Sequence, residues 1–298
     1  MNVSLDSYIL FWICILGLCL GSFYNVVILR SLSEESIVFP PSKCPKCNNR
    51  LKPWHNIPVL SYIFLGGKCA YCKEKISIQY PIIELITAGL FALSYIKFGL
   101  NWATLFAIII SSCLIIMTMT DLKEKLVDCN IAIGLAVIGI LFHITCQSSF
   151  VDSLLGLLLG IVVMEVLART GYLFTKSRAF GEADTYVAGA LGACFGVNGL
   201  LQVFLYTLIV AMIFVVPMFL YKQFINNNKS VCILSILFIL SVLVYKTAFQ
   251  NWYSFAALII TGLWLSFCVL KNIKNETNLT YLPLVPAFSF AALYFLFF

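Results

Sequence analysis

The chain consists of long apolar runs joined by short polar stretches, and the length of those runs decides what it can fold into. A hydrocarbon core about 30 Å thick is crossed by roughly 20 apolar residues in helical form. Runs of this kind occupy about residues 8–29, 80–95, 102–119, 131–146, 154–174, 185–195, 200–221, 231–245, 252–270 and 282–298. The expected fold is therefore an all-α polytopic membrane protein with about ten transmembrane helices. Charged residues make up 11% of the chain and hydrophobic ones 61%, against about 25% charged in an ordinary soluble domain. The formal net charge of +6 reports orientation rather than nucleic-acid binding, because the lysines and arginines flank the spans.

One long polar segment interrupts the pattern. Residues 30–79 hold eight of the nineteen basic residues: Arg30, Lys43, Lys46, Arg50, Lys52, Lys68, Lys73 and Lys75. By the positive-inside rule this loop is cytoplasmic and the N-terminus outside. Met1 to Ser7 carries no basic residue and includes Asp6, so the first run is expected to be a retained anchor and not a cleaved signal. Run 185–195 is short for a crossing. Without it Lys222, Lys229, Lys271 and Lys274 would move outside, against the charge bias, so it is counted as a span. The expected domains are an anchor at 1–29, a small loop domain at 30–79 and a membrane core at 80–298.

Within the loop, Cys44-Pro-Lys-Cys47 and Cys69-Ala-Tyr-Cys72 form two C-x-x-C pairs. Four thiolates at this spacing can close a tetrahedral zinc site, and four sulfur ligands leave no position for a catalytic water. A structural zinc is expected, with free or redox thiols as the alternative. The reducing cytoplasm disfavours a disulfide. Cysteines within the apolar runs, such as Cys14, Cys19, Cys113 and Cys268, suit packing.

Counting spans returns two aspartates to the same cytoplasmic face: Asp121 closes the third run, and Asp184, in Phe-Gly-Glu-Ala-Asp (Phe180 to Asp184), opens the sixth. A pair of carboxylates sharing one proton can activate water with one member and protonate a carbonyl oxygen with the other. A single helix-end aspartate more often sits among headgroups or favours a helix N-terminus, so the pair carries the functional reading. Glu182 is two residues from Asp184 and points elsewhere on a helix. Glu84 and Glu165 are acids within or near spans and read as structural groups. His143 reads as packing, and His55 lacks a second histidine to make a metal site.

The segments Gly21 to Ile28 (Gly-Ser-Phe-Tyr-Asn-Val-Val-Ile), the two cysteine pairs, Asn56 to Ser61, Ile76 to Glu84, Asp121 and Gly181 to Asp184 occur in the order seen in type IV prepilin peptidases. The chain resembles that family over most of residues 17–196. The resemblance implies an aspartyl endopeptidase of the bacterial inner membrane, with Asp121 and Asp184 catalytic. Its substrates would be type IV prepilins or type II secretion pseudopilins, cut after a glycine on the cytoplasmic side. It also implies N-methylation of the new terminus with S-adenosylmethionine in many members. Three departures stand out: Ala183 replaces a glycine of the usual Gly-x-Gly-Asp, Val127-Asp128 stands for Pro-Asp, and His55 replaces a common acid. Residues 231–270 read as an added helix pair. A proton-coupled transporter would instead place its acids near mid-bilayer, and a non-catalytic zinc-loop assembly protein would tolerate loss of both aspartates.

Overall fold

A computed structural model describes residues 3–32, 36, 39, 41–124, 126–145, 149–175, 181–225 and 284–298. The runs expected at 231–245 and 252–270, and with them the added helix pair, lie outside the described residues. Everything regular in the described residues is helical: α1 (Val3–Leu32), α2 (Leu60–Phe64), α3 (Gln79–Phe98), α4 (Trp102–Glu124), α5 (Cys129–Thr145), α6 (Phe150–Thr175), α7 (Glu182–Ile225) and α8 (Val285–Phe297), with one 3-10 turn at Pro53–Asn56. Five of these are long and apolar enough to cross a membrane, within α1, α3, α4, α6 and α7, while α5 and α8 are shorter apolar helices.

The chain divides into two compact units. The first comprises Met1–Ile161, Glu182–Phe204 and Pro283–Phe298 and holds both aspartates and all four loop cysteines. The second comprises Val162–Gly181 and Leu205–Leu282. Its described part includes an exposed ion pair one helical turn apart, Arg169 Nε to Glu165 Oε1 at 2.9 Å, so Glu165 has a basic partner on its own helix.

In the first unit, small residues set how closely the helices approach. Without a hydrophobic driving force between helices in lipid, backbone proximity and interhelical hydrogen bonds provide the packing energy. A Cβ on Gly17 would come 2.6 Å from Ala88 Cα, and one on Gly21 2.7 Å from Glu84 Cα, so α1 and α3 touch backbone to backbone. One turn along, the fully buried Asn25 donates to the Tyr80 carbonyl at 3.2 Å. Tyr95 Oη donates to Asp6 Oδ1 at 3.1 Å, so α1 and α3 run antiparallel. On the other side, Gly156 of α6 meets Gly192 of α7, and Gly160 meets Ala188.

Gly196 breaks α7, because its φ of 69° lies in the left-handed region. The break is complete in its hydrogen bonds. Val197 N–H donates to Asp152 Oδ1 at 3.3 Å, and the Ala193 carbonyl accepts from Ser153 Oγ at 2.7 Å. Ring pairs give the direction beyond it: Phe195 meets Phe295 at 5.1 Å, whereas Phe204 meets Phe288 at 5.7 Å. Lys97 Nζ bonds the Leu296 carbonyl at 2.9 Å, which sets the last turn of α8 beside the last turn of α3. The chain after Gly196 therefore heads back along α8, away from the end it has just reached.

Candidate functional site

The cysteine-bearing loop is built from two copies of one knuckle. In the first, Lys43 bridges Arg50, Cys44 N–H donates to Asn49 O at 3.0 Å, and Asn48 takes a φ of 56°. In the second, Lys68 bridges Lys75, Cys69 N–H donates to Glu74 O at 2.8 Å, and Lys73 takes a φ of 60°. Every part of the second follows its counterpart by the same sequence offset. This short repeat is visible in Lys-Cys-x-x-Cys once the geometry is known. The four sulfurs of Cys44, Cys47, Cys69 and Cys72 lie within 4.8 Å of one another, with Cys44 and Cys72 at 3.9 Å. Zn–S bonds of about 2.3 Å in a tetrahedron put sulfurs about 3.8 Å apart, so the donor set fits a metal ion such as zinc.

The charge in this cluster is unevenly held. Backbone N–H groups of Cys72 and Tyr71 bring the Cys69 thiol down to about 7. At Cys72 the Glu74 backbone favours the thiolate, but burial and hydrogen bonds with Cys69, Cys47 and Cys44 outweigh it and push the thiol up to about 11. His55 packs edge-on against Tyr71 of the second knuckle, with centroids 5.5 Å apart.

Behind the knuckles, Val59 sits in a γ-turn of the rare hand, at φ 59° and ψ −49°, with Leu60 N–H turned back to Pro58 O. Its own N–H donates to Glu84 Oε2 at 2.7 Å. Glu84 thus ties the loop to α3, a role the sequence signalled only as an acid buried in a span.

Asp121 lies in the last turn of α4 and Asp184 in the first turn of α7, and both are buried, 7% and 9% exposed. Their depths can be compared along the helices. Phe106 of α4 stacks on Phe142 of α5 with centroids 3.9 Å apart, which marks a common level. From Phe106 to Asp121, α4 descends about 22 Å at 1.5 Å per residue. Gly139, one turn below Phe142, lies against Ala193, where an added Cβ would come within 2.9 Å of the Ala193 carbonyl carbon. Descending α5 to Gly139 and then α7 from Ala193 to Asp184 covers about 18 Å. The two carboxylates thus sit at nearly one depth, at the same end of the same unit.

The neighbouring acids stand apart from this arrangement. Asp128 is exposed and caps α5, accepting from Asn130 N–H at 2.9 Å. Glu182 is exposed while Asp184 is buried, as residues two apart on a helix should be. His143 Nε2–H donates to the Cys194 carbonyl at 3.0 Å and helps join α5 to α7.

Two protein-family models match in tandem, the Bacterial Peptidase A24 N-terminal domain over residues 15–98 and the Type IV leader peptidase family over residues 108–216. The first window holds the four cysteines and Glu84, the second both aspartates. A prepilin leader peptidase/N-methyltransferase of Neisseria gonorrhoeae is 34% identical over 213 residues, covering 62% of this chain and 74% of that protein. The chain belongs to the prepilin leader peptidase family. Two other proteins of the same name are similar to this prepilin peptidase family member. The Myxococcus xanthus one is 34% identical over 64% of the chain and 58% of its own length, and the Bacillus subtilis one 33% identical over 67% and 79%. No solved structure matches the chain.

Proposed function

We propose that this protein is an aspartyl endopeptidase of the bacterial inner membrane that cuts the leader from type IV prepilins or type II secretion pseudopilins, after a glycine at the cytoplasmic face. The observation that carries this reading is the pair Asp121 and Asp184, both buried and at nearly one depth. Two close carboxylates share one proton, so one member takes a proton from water while the other gives one; in the proposed steps Asp184 is the member that takes it. Asp184 takes a proton from water as the water oxygen attacks the scissile carbonyl, and Asp121 gives its proton to the carbonyl oxygen. On collapse the C–N bond breaks, Asp184 passes its proton to the leaving nitrogen, and the proton on the diol returns to Asp121. No metal takes part in these steps.

Cys44, Cys47, Cys69 and Cys72 would hold the structural zinc of a loop domain at 30–79, beside the anchor at 1–29 and the membrane core at 80–298. N-methylation with S-adenosylmethionine as donor is proposed from the relatives' names and the resemblance. No residue is assigned to it. The count of about ten spans gains support from parity: α8 runs in the same direction as α3, the second span, so an even total fits. Acids at one end of the helices disfavour a transporter.

The test is leader cleavage of a matched prepilin in membranes. Asp121→Asn and Asp184→Asn are each expected to lower the rate by about 10²- to 10⁴-fold with normal expression. Retained cleavage in either variant removes that residue from catalysis.

A further inference from the structure

We propose that the groove between α3, α4 and α8 seats the apolar segment of the polypeptide substrate; this rests on the peptidase reading above. The groove is a cavity of about 440 Å³ walled by apolar side chains such as Ile86, Leu90, Leu114 and Phe290. Ile86, Leu93, Phe290 and Tyr294 are exposed along it, so it opens on the lipid-facing side of the helices. Along α3 it extends from Ile83 to Leu93, about 15 Å or nearly three turns of a helix.

Its position relative to the aspartates is what matters. Thr118 and Met119 wall the groove on α4, and Thr118 precedes Asp121 by about 4.5 Å on the same helix face. Ser289 of α8 stands about 10 Å nearer the Asp121 end than Leu296, which marks the far end beside Lys97. An extended residue or two at Asp121, followed by an apolar helix entering the bilayer, would pass directly into this groove.

The hydroxyls decide between a polypeptide and a lipid tail. Thr87, Ser94, Ser111, Ser112 and Thr120 each bond the carbonyl one turn earlier, at 2.7 to 3.1 Å. Thr118 Oγ1 and Ser289 Oγ are buried, belong to residues that line the groove, and have no hydrogen-bond partner. Two buried hydroxyls without a partner are costly unless they turn about χ1 toward an occupant that supplies one. An acyl chain has no polar group along its length, whereas the extended residues of a peptide keep open carbonyls and the first turn of the helix that follows leaves N–H groups, which a hydroxyl can meet as donor or acceptor.

The experiment uses the full chain in phospholipid vesicles with a matched prepilin. A benzophenone amino acid replaces Phe290 or, as control, Leu141, which is exposed on α5, in the Asp121→Asn background that holds substrate uncut. Expected is a crosslink to the prepilin's apolar segment at Phe290 at least about tenfold above the control. In the active background, Thr118→Val with Ser289→Ala is expected to raise KM about three- to tenfold, more than it lowers kcat. Thr118→Ser, which keeps the donor, should recover most of that. If the unmodified protein cleaves the prepilin but Phe290 crosslinks only lipid, or no more than Leu141, or KM does not move, the groove is not the substrate seat and the peptidase reading stands. If the unmodified protein cleaves no prepilin, the peptidase reading falls and takes the groove's assignment with it.

Discussion

The backbone N–H of Val59 donates to Glu84 Oε2 at 2.7 Å, and this one bond fastens a strained loop residue to a membrane helix. A β-branched residue at φ 59° is held there by its surroundings, not by preference. Glu84→Ala should therefore release the turn. The loss of a hydrogen bond of about 1–3 kcal/mol predicts amide exchange across residues 59–65 that is roughly 5- to 150-fold faster, readable by hydrogen–deuterium exchange in detergent. Unchanged exchange there would mean that other contacts hold the loop.

The two knuckles predict a metal of defined stoichiometry. One zinc per chain should copurify, and Cys44→Ser or Cys69→Ser should remove it and raise protease sensitivity across residues 41–78, because the described loop has little apolar core to hold it otherwise. Metal analysis beside limited proteolysis checks this. Full zinc in the Cys69→Ser protein would exclude the four-sulfur site.

The pH dependence of that site follows from its thiols. Binding needs thiolates, and Cys72, pushed up to about 11, keeps its proton in neutral solution until the metal displaces it. Cys69, brought down to about 7, is already largely ionised above that pH. Apparent zinc affinity should therefore fall at least about tenfold per unit as pH drops from 9 to 7, and more steeply below about 7 as Cys69 also takes a proton. Competition with a chromogenic chelator across this range measures the slope, and a flat profile would contradict four-thiolate binding.

The amount of this that could be read in advance differs residue by residue. Among the described residues helix positions follow from run length, since lipid leaves the backbone few choices, and the four cysteines that come together are the two C-x-x-C pairs of the sequence. The depth of Asp121 and Asp184 follows from counting spans. What the sequence conceals are effects of one backbone angle or one rotamer. Gly192 and Gly196 look alike in the chain, yet one is a contact surface against Gly156 and the other a break. Val59 carries no turn-forming signal, and the carboxylate that meets its N–H, Glu84, belongs to another element. Thr118 and Thr120 are both threonines in one apolar run, and only the structure distinguishes the one that bonds its own helix from the one that lines the groove without a partner.

The break at Gly196 depends on Asp152, which accepts from Val197 N–H in place of the interrupted helical bond. Asp152→Ala should cost about 0.5–2 kcal/mol, as other lost helix caps do. Gly196→Ala should cost more, because its Cβ would run into the Asp152 carboxylate at a positive φ. Thermal unfolding in detergent should rank the variants in that order. The reverse order would mean that α7 can straighten through this point.

Ala183 stands where the usual Gly-x-Gly-Asp would have glycine, in helical backbone. It lies inside the first turn of α7, between Glu182 and Asp184, and is not among the residues with positive φ. A glycine is not required by the backbone there. Ala183→Gly should leave leader cleavage within about twofold of the parent, and destabilise the start of α7 by up to about 1 kcal/mol, the helix-propensity difference. Thermal unfolding and the cleavage assay on the same preparation separate the two effects. A parent protein without cleavage that gains it in Ala183→Gly would show that alanine at this position disables the dyad, which would make the protein a non-catalytic member of its family.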